Sequence, residues 1–415
     1  MLDLSNSERS LDSTRHDRLH LAEMETFDVA IVGAGPAGSS CAAFCSLAGL
    51  RTLVLERETF PREKVCGDCL NPSSWPILDR LDLVQRVRTL PHAKLGSVEF
   101  IAISGRRVII DLSSGEGSEI AIKRSLFDML LMSRARELGT QVYEETTVTA
   151  LTSSNGWTIE TARGATFAAR TLVGADGRNS TVARLCNLLP RPARERVALQ
   201  AHIPLPPGFG DRIVLQFLRE GYSGQAPVND KELNLCLVSK PSNLSALRCW
   251  AEQRFSLNED HLWRTITPLT RVALSPAHDR LFMVGDAARV VEPFTGEGIY
   301  YALRSGELAA GAILKIIRGK DRQSALREFA NAHAEMYRGR LWINRLARAA
   351  VLWPSPKAAV RMRIFFIPGR QNIAPALRTD CGCVNFCSHF RPLCSPFGAS
   401  GRTRGERPSQ VTSRF

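Results

Sequence analysis

Three glycine-bearing turns hold the residues of this 415-residue chain whose types and spacing could do chemistry. In the first, Gly33-Ala34-Gly35-Pro36-Ala37-Gly38 follows the apolar run Val29-Ala30-Ile31-Val32 and leads into small and apolar residues from Ser39 to Ala48. Gly33 permits a tight turn, Gly35 lets backbone N–H groups approach a pyrophosphate, and Gly38 lets helix and strand pack closely. The anion then sits on a helix N-terminus, where unpaired N–H groups and the helix dipole favour negative charge. Glu56 ends the next apolar stretch, Leu53-Val54-Leu55, 18 residues after Gly38. A carboxylate there accepts hydrogen bonds from a ribose diol and disfavours a 2′-phosphate.

The other two turns specify which dinucleotide. Gly174-Ala175-Asp176-Gly177-Arg178-Asn179-Ser180 follows the apolar Thr171-Leu172-Val173, and Gly285-Asp286-Ala287-Ala288 follows Leu281-Phe282-Met283-Val284. The latter runs into Pro293-Phe294-Thr295-Gly296-Glu297-Gly298-Ile299, at the head of a long helical pattern. An Asp at a strand end suits a ribityl hydroxyl. A Gly-rich turn at a helix N-terminus suits the flavin N1 and C2 carbonyl, which become anionic on reduction.

The elements that must position these turns follow from hydrophobic periodicity. Strands at 29–32 and 51–55 flank a helix over 39–48, a βαβ unit of about 30 residues. Further helices are expected over 74–88, 125–138 and 298–317. Antiparallel strands are expected over 94–122, a meander over 146–169, more strands over 195–240 and a strand at 281–284. Val228 to Leu237 reads as a hairpin through Asn229-Asp230.

Composition excludes other classes. With 44% hydrophobic and 23% charged residues the chain is neither disordered nor collagenous. No apolar run approaches the roughly 18 residues of a membrane span. Residues 1–25 are charged and lack a signal peptide's apolar core, so a cytoplasmic location is expected. The eleven cysteines do not form a secreted framework and read as mostly reduced thiols. Arg340 to Phe415 holds 13 Lys and Arg against two acids, leaving 41 basic and 39 acidic groups in the first 339 residues. With no basic stripe through the body, a nucleic-acid partner is not expected.

The motifs together resemble the flavoprotein hydroxylase superfamily and, within it, the geranylgeranyl reductase family. Gly33 to Gly38 with Glu56, Gly174 to Arg178, and Gly285-Asp286 match its FAD motifs. Phe60-Pro61-Arg62-Glu63-Lys64-Val65-Cys66-Gly67-Asp68 resembles a loop of prenyl reductases and flavin halogenases, and Arg124 matches an arginine placed near FAD. The resemblance spans about residues 26 to 320. It implies a mixed α/β fold: a Rossmann-type FAD-binding domain (26–90, 120–190 and 272–325) with an inserted antiparallel β-sheet substrate domain (91–119 and 191–271). A helical C-terminal region (326–370) and a disordered tail (371–415) would follow. The implied cofactor contacts are Gly33, Gly35, Pro36, Ala37, Gly38, Glu56, Arg57, Arg124, Val148, Asp176, Gly285, Asp286, Pro293, Gly296, Gly298 and Ile299.

By position, Cys66 and Tyr222 are the catalytic candidates. Cys66 is either a proton donor or a small polarizable wall. Prenyl reductases carry Tyr-x-Trp-x-Phe-Pro in the substrate sheet; Tyr222-Ser223-Gly224-Gln225-Ala226-Pro227 keeps Tyr and Pro but has Gly for Trp and Ala for Phe. A wider or reshaped pocket is expected. The activity implied is reduction of C=C bonds in an apolar, isoprenoid or polyketide-like substrate, with NAD(P)H or a reduced carrier as donor. A monooxygenase is the alternative, followed by a halogenase using Lys94 or an electron-transfer flavoprotein. Cys381, Cys383, Cys387 and Cys394 are read as tail thiols rather than metal ligands. The segment 340–370, with seven basic residues, no acid and Trp342, Trp353, Phe365 and Phe366 among them, suits an anionic membrane surface.

Overall fold

The structure, a computed structural model, describes residues 25–189, 196–258, 260–267, 269, 271–291 and 296–338. Along the chain come β1 (Thr26–Val32), α1 (Pro36–Leu47), β2 (Thr52–Leu55), β3 (Cys69–Leu70), α2 (Trp75–Arg80) and α3 (Val84–Thr89). Strands β4 (Ala93–Lys94), β5 (Ser97–Ile101), β6 (Arg107–Asp111) and β7 (Ile120–Ala121) lead to α4 (Arg124–Glu137). Next are β8 (Gln141–Tyr143), β9 (Val148–Ser153), β10 (Trp157–Thr161), β11 (Thr166–Gly174) and α5 (Thr181–Leu185). Then follow β12 (Val197–Pro204), β13 (Arg212–Phe217), β14 (Gly221–Pro227), β15 (Glu232–Ser239), α6 (Leu244–Phe255) and β16 (Arg264–Ile266). The last elements are β17 (Ala277–His278), β18 (Leu281–Met283), α7 (Gly298–Ile317) and α8 (Arg322–Glu335), which runs through residue 326.

One sheet has the order β17-β18-β11-β1-β2-β8, with β10 and β9 continuing from β11. Strands β1, β2, β8, β11 and β18 pair parallel, as expected where crossover helices cover a buried sheet. A second sheet, β16-β12-β15-β14-β13-β5-β6, is antiparallel except where β13 meets β5. A small sheet, β3-β7-β4, joins segments from the loop after β2 to the entrance of α4.

The parallel sheet is locked by small residues. Added to Gly306 on α7, a Cβ would lie 2.3 Å from Ser40 Oγ and 2.4 Å from the Ala37 carbonyl of α1, so the two helices touch backbone to backbone. Ser40 Oγ donates to Leu303 O at 3.2 Å across the same contact.

The helix expected over 74–88 is interrupted. Both Leu81 and Leu83 are buried, yet two residues on one helix point about 200° apart and cannot share a face. The chain reverses between them with Asp82 at φ 56° and Leu83 N–H returning to Leu78 O at 2.9 Å. Helix α6 answers to no expected element, whereas α7 has the expected bounds.

Candidate functional site

The first turn is fixed by backbone contacts. Gly33 has φ 101°, and a Cβ there would meet Ala175 O at 2.7 Å. A Cβ on Gly38 would strike Gly33 O at 1.8 Å. At Gly35 the nearest atom is the end of the Arg62 side chain, 3.5 Å away, so the middle glycine faces open space at the start of α1. That is a cradle a side chain would fill and a pyrophosphate fits. Glu56, buried at the end of β2, accepts from Ala34 N–H at 2.7 Å and from Glu58 N–H at 3.0 Å. It therefore braces the turn, and its remaining lone pairs are available to a ribose.

A cavity of about 700 Å³ runs from this turn to the face of the second sheet. Gly33, Gly35, Pro36, Ala37, Glu56, Arg57, Arg124, Val148, Asp176, Asp286, Gly296, Gly298 and Ile299 all line it. Gly38 and Gly285 do not. Gly38 serves the turn itself, and Gly285, at φ 57° with a virtual Cβ 2.9 Å from Ala37 Cβ, serves packing. Pro293 lies outside the described residues.

Near the glycine turn the lining carries charges of both signs, with Arg62, Lys64, Arg124 and Arg178 among carboxylates such as Glu56, Asp176 and Asp286. Arg124 is held through Nε and Nη2 by the buried Asp128 carboxylate, each bond 2.7 Å, and Arg62 approaches the same carboxylate at 3.3 Å. Burial opposes the Arg124 charge, but Asp128 keeps its pKa well above the ordinary arginine value. Burial, followed by the repulsion of Arg124, Arg62 and Arg178, brings Lys64 down to about 8. Arg178 Nη2 donates to Asp286 Oδ2 at 2.9 Å. Arg271 staples the second and third turns, donating to the carbonyls of Arg178, Asp286 and Ala287 at 2.8, 2.9 and 2.6 Å. Guanidinium groups beside a helix N-terminus fit the phosphates and electron-rich ring of a flavin dinucleotide.

At the far end the wall is the inner face of the second sheet. Side chains alternate across a strand. Accordingly Val98 and Phe100 of β5, Ile213 and Leu215 of β13, Tyr222, Gly224 and Ala226 of β14, and Asn234, Cys236 and Val238 of β15 share one face and line the cavity. A Cβ on Gly224 would meet nothing closer than Leu215 at 3.6 Å, so the Gly in place of Trp opens the wall. Lys94 is exposed on β4 and does not line the cavity.

Cys66 and Tyr222 both line this cavity. Burial pushes the Cys66 thiol up, and the Arg124 guanidinium beside it draws it partly back. Sequence reasoning missed the polar set next to Cys66. Asn234 Nδ2 donates to Cys66 O at 2.7 Å and to Asp68 Oδ2 at 2.8 Å, and His202 Nε2 lies 2.7 Å from Asp68 Oδ2. It also missed Glu119, which burial and then the Glu297 charge bring up to about 7. The available signal was Gln200 and His202, spaced by two on an otherwise apolar strand and paired in register with Cys236 and Asn234.

The fold and the three turns define a flavin-dinucleotide protein. Residues 26–203 match the FAD binding domain, the domain of the flavoprotein hydroxylase family, which includes FAD-dependent oxidoreductases, monooxygenases and halogenases. Among relatives, Conditioned medium factor receptor 1 of Dictyostelium discoideum is 28% identical over 71% of this chain, which spans 64% of that protein's length. Menaquinone reductase of Mycolicibacterium smegmatis is 28% identical, with 68% of this chain and 75% of the relative covered. Digeranylgeranylglycerophospholipid reductase of Thermoplasma acidophilum is 25% identical, with 72% and 80% covered. PqsL of Pseudomonas aeruginosa, solved with 2-aminobenzoylacetate, shares the fold, with a TM-score of 0.72 at 18% identity over 81% of this chain and all of that one.

Proposed function

We propose that this protein adds hydrogen across carbon–carbon double bonds of an apolar, isoprenoid-type substrate, drawing electrons from NAD(P)H or a reduced carrier. The observation that carries this reading is the continuous cavity, charged and glycine-walled at one end and largely apolar at the other. Two relatives named for reducing isoprenoid-bearing lipids support it. When bound and reduced, FAD supplies the hydride.

The chain's own residues do the rest. The glycine turn, Glu56, Arg62 and Arg124 would hold the dinucleotide, while Asp286 and the turn at Gly296 and Gly298 would hold its ribityl and ring. Val98, Phe100, Ile213, Leu215 and Val238 exclude water from an apolar chain, and the opening at Gly224 accepts its bulk. Cys66, with its raised pKa, keeps a proton on Sγ at neutral pH. Lys94, the lysine weighed for a halogenase, faces solvent rather than the cavity.

Anaerobic incubation of the reduced, FAD-loaded protein with menaquinone and with geranylgeranylated lipid tests the proposal. The expected product carries two added hydrogens per reduced side-chain double bond, a gain that persists after any quinol is reoxidised. Oxygen-dependent donor consumption with a hydroxylated product would instead establish the monooxygenase alternative.

We further propose that residues 340–370, which lie outside the described residues, dock the protein on anionic lipid where such a substrate dissolves. No helix among the described residues is long and apolar enough to cross a membrane. Salt-sensitive co-sedimentation with anionic liposomes is expected. Equal recovery on neutral and anionic vesicles would refute it.

A further inference from the structure

A second cleft, of about 950 Å³, lies beside the cavity, shares Glu63 with it, and is lined by Lys123, His202 and Pro204 among others. Its rim is open, with Leu262 82% exposed and Pro204 and Pro207 exposed. His202 borders this outer cleft and Asp68 borders the inner cavity, so the wall here is one hydrogen-bonded pair thick. Asp68 is fully buried, and its Oδ1 has no hydrogen-bond partner among the described residues. On the other side of the imidazole, Nδ1 stands 3.9 Å from Glu63 Oε2, and Glu63 borders both spaces.

We infer that Asp68 and His202 form a proton relay that carries protons from the outer cleft into the cavity. The inference rests on the reductive reading above, because each hydride delivered there must be matched by a proton. His202 takes a proton at Nδ1 from the Glu63 side and passes its Nε2 proton to Asp68 Oδ2. The carboxyl then holds that proton at the cavity wall, its Oδ1 bound to no other group among the described residues. Once it is given up, Asp68 is again a carboxylate and His202 a neutral ring protonated at Nδ1. Tautomer exchange of the ring restores Nε2–H before the next transfer, so one proton enters and one leaves.

The surroundings hold the pair in place. Burial raises the Asp68 pKa, against the opposing pull of His202 and Arg124. Asn234 from β15 fixes the carboxylate by donating to Oδ2, and Gln200 Nε2 donates to Asn234 Oδ1 at 3.3 Å. On the outer side His202 also faces the Lys123–Glu232 ion pair, 2.9 Å between N and O. Asp68 stands at the cavity end of the relay, and His202 acts through it.

The test uses the FAD-loaded protein and reduced methyl viologen, which gives electrons but no protons. Two viologen radicals and one proton convert each bound FAD to its reduced anion, and an indicator dye follows the proton. Uptake is expected to keep pace with reduction in the native protein. In His202→Gln, which keeps a hydrogen-bond donor toward Asp68, it should lag at least tenfold while electron arrival is unchanged. In His202→Gly the same lag should be relieved by added imidazole, and in Asp68→Asn imidazole should give no relief. Native-speed uptake in His202→Gln, no imidazole effect in His202→Gly, or loss of flavin from His202→Gln would each overturn the relay. None of these readouts contains an isoprenoid, so a normal relay in a protein that reduces no such lipid would overturn only the functional reading.

Discussion

At the glycine end of the cavity the backbone shapes the site, whereas at the sheet end it is shaped by side chains from β5, β12, β13, β14, β15 and β16. The first end is fixed by contacts that admit no Cβ, such as Gly33 on Ala175 O and Gly38 on Gly33 O. The second holds a gap at Gly224 that a side chain would enter with only ordinary van der Waals contact. Chemistry common to every flavin dinucleotide is thus bound to main-chain geometry. Discrimination among substrates is left to positions that can change without disturbing the fold.

Substitution at the two kinds of glycine should break this comparison most visibly. Gly38→Val forces a side chain into backbone and should cost at least about 2 kcal/mol of stability, seen as a lower urea midpoint. Gly35→Val should leave that midpoint near native, because its φ of −72° suits any residue, yet abolish the yellow colour of bound flavin. Retention of stoichiometric flavin by Gly35→Val would show that the pyrophosphate lies elsewhere.

Glu56→Ala removes charge-assisted hydrogen bonds worth roughly 1.5–3 kcal/mol, so FAD should bind about 10- to 150-fold more weakly by titration. Its bond to Ala34 N–H makes part of that loss a loosening of the turn, and Glu56→Gln should separate the two by restoring much of the affinity. At the other end, Gly224→Leu should leave the FAD dissociation constant unchanged and raise KM for bulky isoprenoids several-fold. A matching loss of FAD affinity would mean that the two ends are not independent.

The smallest effect concerns Glu119, on the cavity lining near the turn at Gly296. Its pKa of about 7 lies above the ordinary 4.5, so the folded protein binds more protons between those values. Stability should therefore fall as pH rises from about 4.5 to 7, with a ceiling of about 3 kcal/mol at 1.36 kcal/mol per unit. Glu119→Gln should flatten that slope in urea melts. An unchanged slope would place the carboxylate in water.

The comparison also explains what was legible in the sequence. Gly33, Gly35, Gly38, Glu56 and Asp286 could be read because their chemistry depends on a turn and its flanking strands, all local in the chain. Asp68, His202 and Asn234 could not, because they meet only when the loop after β2 docks on the β12–β15 pair, 134 residues away for Asp68 and His202. The break at Asp82 was hidden for a related reason: only the buried pair Leu81 and Leu83, and Arg134 donating to Leu81 O at 2.8 Å, make the reversal favourable. Gly224 stood out as a departure, but the open wall it leaves depends on Leu215 and Cys236 from neighbouring strands.

The central claim is that one cavity joins an FAD site to an apolar substrate site and that reduction takes place between them. Mass spectrometry of menaquinone or geranylgeranylated lipid after a single anaerobic turnover, with FAD reduced in deuterated water, tests it most directly. The account predicts lipid carrying two added hydrogens on carbon, at least one of them a deuterium retained after reoxidation of any quinol and exchange in light water, with native protein and none with Gly35→Val. Unaltered lipid from native protein whose flavin is fully reduced would contradict it.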